Sequence, residues 1–133
     1  MGGRVLVGGH ADGAFFEPTV LEDVPPTAQV CASEVFAPLV VLATFGDFSE
    51  ALAGVNDSSF GLQSGVFTND LAHAWQAFSE LEVGGVVIND ISSYRIDHMP
   101  YGGVKDSGLG REGLRWSIED MTELRLLVLA QPQ

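Results

Sequence analysis

Met99 to Gly113 is where chemistry is most readily placed in this sequence. The run Met-Pro-Tyr-Gly-Gly-Val-Lys-Asp-Ser-Gly-Leu-Gly-Arg-Glu-Gly holds five glycines and one proline. Glycine tolerates φ > 0 and lets a second backbone or a ligand approach closely, while proline fixes its own φ. Two basic residues, Lys105 and Arg111, stand between the glycines. That mixture of charge and aromatic reads as an ordered loop, where a flexible linker would be plain Gly/Ser. Gly108, Gly110 and Gly113 match G-x-G-x-x-G literally. A dinucleotide fingerprint must follow a strand, open a helix and find an acid about 20 residues later on a second strand. Here a loop precedes the pattern and the sequence ends where that acid would stand. The Walker phosphate loop fails too, because no Gly-Lys-Ser/Thr occurs. A free-standing nucleotide-binding domain built on this motif is therefore the third-ranked reading.

The other reactive types are scattered. Cys31 has Glu34 nearby and no base in its stretch of sequence, so nothing there would generate a thiolate, and it reads as a small buried hydrophobe. His10, His73 and His98 form no pair with metal-ligand spacing, and no metal is expected. Asn56-Asp57-Ser58 is a formal glycosylation triplet, but nothing suggests secretion. Glu34 stands at the entrance of an apolar run. Taken alone, a lone acid there is most often solvated.

The elements that must position these residues follow from apolar runs and turn residues. Arg4–Val7 reads as a strand and Phe15–Leu21 as an extended piece interrupted by Pro18. Leu39–Phe45 is apolar on both faces, as in a buried parallel strand. Ser49 reads as the N-cap of a short helix to about Val55. Ser64–Phe67 is a strand. Thr68-Asn69-Asp70 offers a cap for a helix with Leu71, Trp75, Phe78 and Leu81 at helical spacing, and Gly84 is the expected C′ residue. Gly85–Asn89 is a second buried strand. Leu114, Ile118 and Met121 mark a last helix, and Leu124–Leu129 a terminal strand. The alternation predicts an α/β fold, a partial parallel sheet with flanking helices, in which residues 1–123 form one body and 124–133 an oligomerisation strand and tail. An apolar terminal strand with no helix over it invites pairing with another sheet.

Charge narrows the partners. Eighteen acids oppose six bases, for a net charge of −12. No Lys or Arg occurs from Val5 to Tyr94, whereas Arg95, Lys105, Arg111, Arg115 and Arg125 all lie in the last third. Such a balance argues against nucleic acid and against an anionic membrane. The basic segment instead suits an anionic ligand or the acidic body of another subunit. A lone cysteine, no apolar run near 20 residues and no secretory signal fit a cytoplasmic protein.

Four blocks in order resemble the NAD(P)-dependent aldehyde dehydrogenase superfamily, over about Gly8 to Leu129. They are Phe16-Glu17-Pro18-Thr19-Val20-Leu21; Glu34-Val35-Phe36-Ala37-Pro38, similar to E-x-F-G-P; Asn56 to Thr68 with Gly84-Gly85-Val86-Val87-Ile88-Asn89; and Pro100 to Gly113, similar to P-(F/Y)-G-G-x-K-x-S-G-x-G-R-E. Met99 to Gly108 looks most like the lactaldehyde, glyceraldehyde-3-phosphate and phosphonoacetaldehyde branches.

The resemblance implies the C-terminal third of an oxidoreductase that takes an aldehyde to an acid through a cysteine thiohemiacetal, with NAD or NADP as cofactor. It implies that Glu34 hydrogen-bonds the nicotinamide ribose and that Phe36 packs by the nicotinamide. Asn89, Pro100, Gly102, Gly103, Lys105, Ser107 and Gly108 would border the substrate entrance and shape the loop. Ala37 departs from the family's usual glycine. The nucleophilic cysteine, general-base glutamate, oxyanion asparagine and Rossmann domain would lie upstream. Cys31 is in the wrong context for the nucleophile, so the chain alone is expected to be inactive. It would assemble as a homo-oligomer, dimer or tetramer, through its terminal strand. The alternative is a non-catalytic oligomerisation or interaction module.

Overall fold

The computed structural model describes residues 2–131. The chain forms two units, Met1–Ser58 and Ser59–Gln133. Both are mixed α/β with small sheets, where the sequence predicts one partial parallel sheet.

In the first unit, β1 (Arg4–Val7), β4 (Thr19–Glu22) and β5 (Leu39–Leu42) form a sheet in the order β1-β4-β5. β1 runs antiparallel to β4, with Arg4 opposite Glu22 as an ion pair. β4 runs parallel to β5, with Val20 opposite Val40. A short hairpin, β2 (Ala11–Asp12) and β3 (Phe15–Phe16), precedes β4. Thr19 is buried, and its hydroxyl accepts from the Gly9 amide at 2.9 Å and donates to the Glu17 carbonyl at 2.7 Å. A buried hydroxyl left unpaired would cost about 1–3 kcal/mol, so this pairing fixes how the chain turns into β4.

Between β4 and β5 lies α1 (Gln29–Ala32), a single turn with no buried residue. Cys31 is exposed on it, against the expected burial. One turn is too short to carry an apolar stripe to a core. β5 pairs in parallel as expected, yet it lies at the sheet edge with Val40 and Leu42 half exposed. α2 (Phe48–Asn56) follows. Its cap is Asp47, two residues earlier than the Ser49 expected. Asp47 Oδ1 accepts from the Glu50 amide at 2.9 Å, and Glu50 Oε2 accepts from the Gly46 amide at 2.6 Å. The two acids satisfy donors reciprocally, as in a capping box, which a serine at 49 could not do with the same partner.

In the second unit, β7 (Gln63–Val66) and β8 (Gly85–Ile88) run parallel across α3 (Leu71–Glu80). Asp70 caps α3 through the Ala72 amide at 2.8 Å. α3 buries Ala77, with Leu81 just beyond it, and leaves its bulky side open: Leu71, Trp75 and Phe78 are all well exposed, and the two rings meet edge to face at 6.0 Å. β6 (Phe60–Gly61) pairs antiparallel with β9 (Val104–Lys105), and α4 (Leu114–Asp120) closes the unit. On α4, Glu119 one turn on hydrogen-bonds Arg115 and raises its guanidinium above the ordinary range.

The expected terminal strand at Leu124–Leu129 is not formed. Residues 122–131 carry no helix or strand, and Leu124, Leu126, Leu127, Val128 and Leu129 are exposed. Strand propensity alone does not make a strand; a ladder needs a neighbour. None pairs with this segment among the described residues.

Buried hydrophobic side chains are confined to Leu52, Ala77 and Leu81 among the described residues. Large apolar side chains in each unit are exposed, among them Phe15 and Phe36 in the first and Leu71, Trp75, Phe78 and Met121 in the second. Uncovered apolar area on this scale drives association. The isolated 133-residue chain should therefore self-associate, giving a light-scattering mass above 14.1 kDa and strong binding of an apolar dye. A clean monomer that binds no dye would contradict this.

Candidate active-site segment

The glycine-rich run is an ordered loop held mainly by its own backbone. Gly84 sits so close to it that a Cβ there would fall 1.6 Å from the Gly102 carbonyl oxygen. Gly84 is thus a close-approach glycine, and α3 ends without it at Leu81, whose backbone is extended. Ser107 Oγ accepts from the Gly61 amide at 2.9 Å, and the Asp106 amide donates to the Ser59 carbonyl at 2.9 Å. Arg111 Nη1 donates to the carbonyls of Gly103 (2.9 Å) and Gly110 (2.7 Å). Tyr101 and Glu112 form an isolated antiparallel bridge across the base of the loop.

Each predicted loop residue has a place in this frame. Lys105 lies opposite Phe60 in β9 with φ 55°, and its ammonium pairs with Glu82 at 3.0 Å. A left-handed non-glycine residue is strained, so the ladder and the ion pair hold it there. Asn89 directly follows β8, also left-handed at φ 60°, and its Oδ1 accepts from the Thr68 amide at 2.8 Å. Asparagine tolerates that conformation better than most residues, which suits it to tie β8 to the turn before α3. Gly103 is buried, Gly102 lies against Gly84, and Pro100 and Gly108 are exposed. Gly108, Gly110 and Gly113 do not form a dinucleotide fingerprint. The strand before them is two residues long and antiparallel, and Arg111 is spent on loop carbonyls.

A cluster that sequence reasoning missed joins the loop to residues 91–98. Arg95 Nη2 bonds Glu112 Oε2 at 2.6 Å, and the Arg95 guanidinium lies 4.3 Å from the Tyr101 ring centroid. Nothing periodic links positions 95, 101 and 112; only the Tyr101–Glu112 bridge brings them together. Beside it, an open hollow of about 560 Å³ lies along β8, lined by Gln63, Val86, Ile88, Tyr94, Ile96 and Met99 among others.

Glu34 and Phe36 lie in the first unit, in the stretch between α1 and β5. Both are exposed, Phe36 at 94 %, and they line an open groove of about 450 Å³ with Gln29, Val30, Ser33 and Val35. Among the described residues the Glu34 carboxylate has no hydrogen bond or ion pair. Two free acceptor oxygens suit a pair of hydroxyls, and an uncovered ring suits a flat ligand. No group of three or more His, Cys, Asp or Glu among the described residues could hold a metal ion.

The family model described as aldehyde dehydrogenase family matches residues 1–127. The chain belongs to the aldehyde dehydrogenase family. It is 52% identical over 128 residues to 3-sulfolactaldehyde dehydrogenase of Priestia aryabhattai, covering 96% of this chain and 27% of that protein. Among solved structures it is similar to aldehyde dehydrogenase 21 of Physcomitrella patens in complex with its reaction product succinate (TM-score 0.92, 50% identity, 96% of this chain and 26% of that one). It is also similar to the glyceraldehyde-3-phosphate dehydrogenase GapN of Methanocaldococcus jannaschii complexed with NADP (TM-score 0.82, 45% identity, 90% and 26%). The chain thus spans about a quarter of the length of these aldehyde dehydrogenases.

The backbone frame of this segment can be tested through unfolding. In the full-length polypeptide, Gly84→Ala should cost roughly 3 kcal/mol or more, because backbone must move to admit the methyl. Ser107→Ala should cost about 1–3 kcal/mol for the orphaned Gly61 amide. Urea denaturation measures both. Gly84→Ala unfolding with the parent would show that the close approach is absent.

Proposed function

We propose that this chain is the segment of an NAD(P)-dependent aldehyde dehydrogenase that holds the nicotinamide end of the cofactor and frames the way in for the aldehyde. The observation that carries the reading is the pair Glu34 and Phe36, both open on one groove, with no partner for the carboxylate among the described residues. When bound, the nicotinamide supplies the hydride acceptor. The Glu34 carboxylate holds the two ribose hydroxyls and thereby fixes the depth of the ring. Phe36 packs against the nicotinamide and keeps water from it. Asn89, Pro100, Gly102, Gly103, Lys105, Ser107 and Gly108 build the rigid border of the substrate entrance. The thiol that forms the thiohemiacetal, and the base that follows it, come from the upstream portion of the enzyme. The 133-residue chain by itself is therefore inert.

The substrate class is a short aldehyde bearing an anionic group. Sulfolactaldehyde, glyceraldehyde 3-phosphate and the acid succinate, named for the relatives above, share a negative charge a few bonds from the reacting carbon. Leu124–Leu129 takes up its strand only on assembly, against a sheet of a neighbouring subunit, and the enzyme is a cytoplasmic homo-oligomer. The uncovered apolar side chains from Leu124 to Leu129 favour that reading.

In the full-length enzyme, Glu34→Gln should lower kcat/KM by roughly 10- to 100-fold, as expected for weakened charge-assisted hydrogen bonds, with a raised KM for the nicotinamide cofactor. Reduced-nicotinamide absorbance measures it. An unchanged rate would show that Glu34 is not the ribose ligand, and a full-length protein reducing neither NAD nor NADP with any short aldehyde would end the reading.

A further inference from the structure

We propose that the hairpin tip Asp12-Gly13 is a self-modification site, at which the Asp12 side chain closes onto the Gly13 amide and the main chain is rewritten as an isoaspartyl linkage. Asp-Gly occurs once in the sequence and Asn-Gly not at all. The pair sits where β2 turns into β3. Asp12 faces Phe15 and Ala11 faces Phe16, so Gly13 and Ala14 make a two-residue turn. Gly13 is left-handed at φ 58° and Ala14 is not. A positive φ at the first central position alone marks a type II′ turn, whose two central residues stand outside the strand ladder. The Gly13 amide accordingly donates to no acceptor among the described residues, and the Asp12 carboxylate has no hydrogen bond or ion pair there. Even a Cβ at position 13 would meet nothing within 4 Å, so nothing crowds the attacking nitrogen.

The step balances with water alone. The Gly13 amide nitrogen attacks Asp12 Cγ, an N–C bond forms, a C–O bond breaks, and one water leaves a cyclic imide. Water then opens the ring at either carbonyl. Opening at the main-chain carbonyl leaves Asp12 joined to Gly13 through its side chain. Nothing is oxidised or reduced, and because both groups belong to one chain the reaction needs no enzyme. Other aspartates are held back by their surroundings. Asp47 and Asp70 spend their carboxylates on helix caps. Asp90 bonds the Ile91 amide, whose branched side chain obstructs a ring. The Ser107 amide, which Asp106 would need, is tied to the Val104 carbonyl. The isoaspartyl product carries one more main-chain atom and a new free carboxylate. A two-residue turn has no room for that atom, so the Asp12–Phe15 pair opens. The base of the hairpin holds, because the Glu17 amide donates to the His10 carbonyl at 3.0 Å and Thr19 is bonded to the Glu17 carbonyl. The opened tip is then a substrate for a carboxyl methyltransferase that is specific for isoaspartate.

The test ages the full-length enzyme for weeks in neutral buffer and follows the peptide that contains residue 12. That peptide should divide into two species of equal mass, one of them fragmenting as isoaspartate. Aged enzyme, and not fresh enzyme, should accept a labelled methyl group from S-adenosylmethionine through an isoaspartate-specific methyltransferase. Asp12→Asn should convert severalfold faster, since a neutral amide is the better electrophile in neutral buffer. Asp12→Glu should reduce the signal to background while keeping the charge, because the larger ring closes far more slowly. Conversion in the folded enzyme should stay within severalfold of that in the urea-unfolded chain. An aged enzyme with residue 12 intact overturns the inference. So does folded enzyme slowed by orders of magnitude against the unfolded chain, or a methyl-acceptor signal undiminished in Asp12→Glu.

Discussion

Backbone lies directly on backbone where Gly84 meets Gly102, and the second unit is arranged around that contact. No side chain fits between the two passes. Gly61 repeats the device nearby, since a Cβ there would fall 2.5 Å from the Glu82 carbonyl oxygen. With chains this close, main-chain donors of one pass find acceptors on the next. Gly84 donates to the Gly61 carbonyl, Gly61 to Ser107, and Asp106 to Ser59. A unit whose buried apolar side chains are Ala77 and Leu81 can thus keep a fifteen-residue loop ordered. Rigidity here comes from satisfied backbone polarity rather than from a packed core. The shape of the loop then does not depend on rotamers.

The same economy leaves large faces open. Leu71, Trp75 and Phe78 on α3, Leu114 and Ile118 on α4, and the leucines after Met121 are helix- and strand-forming residues with nothing over them. A folded monomer does not tolerate that much exposed apolar surface. The open faces agree with a segment that makes up about a quarter of its relatives' length. The groove at Glu34 and Phe36 belongs to the same pattern, since the Phe36 ring is left 94 % exposed on it.

What was legible in the sequence was whatever depends on near neighbours. The apolar runs at Leu39 and Gly85 gave parallel strands, and the spacing from Leu71 to Leu81 gave α3, because periodicity is local. Failures arose where a distant partner decides. Leu124–Leu129 has a strand's composition, but only a neighbouring strand would make it one. Cys31 has a buried residue's chemistry, but the turn that carries it reaches no core. Gly84 follows a helix as a C′ glycine would, yet it is needed for a backbone eighteen residues further along the chain, at Gly102. The roles proposed for Glu34 and Phe36 rest on the family pattern, since an isolated acid before a strand is otherwise solvated. The Arg95, Tyr101 and Glu112 cluster had no local signature at all.

Charge in this chain is managed at contact range. The net charge is −12. At physiological ionic strength, exposed charges more than about 8 Å apart are largely screened, so most of the eighteen acids repel one another only weakly. Close contacts count for more. The Arg95 guanidinium lies 4.3 Å from the Tyr101 ring centroid and bonds Glu112 at 2.6 Å. A guanidinium stacked on a ring and held at one nitrogen has lost much of its side-chain freedom. The fixing is done by the same bridge, Tyr101 with Glu112, that closes the base of the glycine loop.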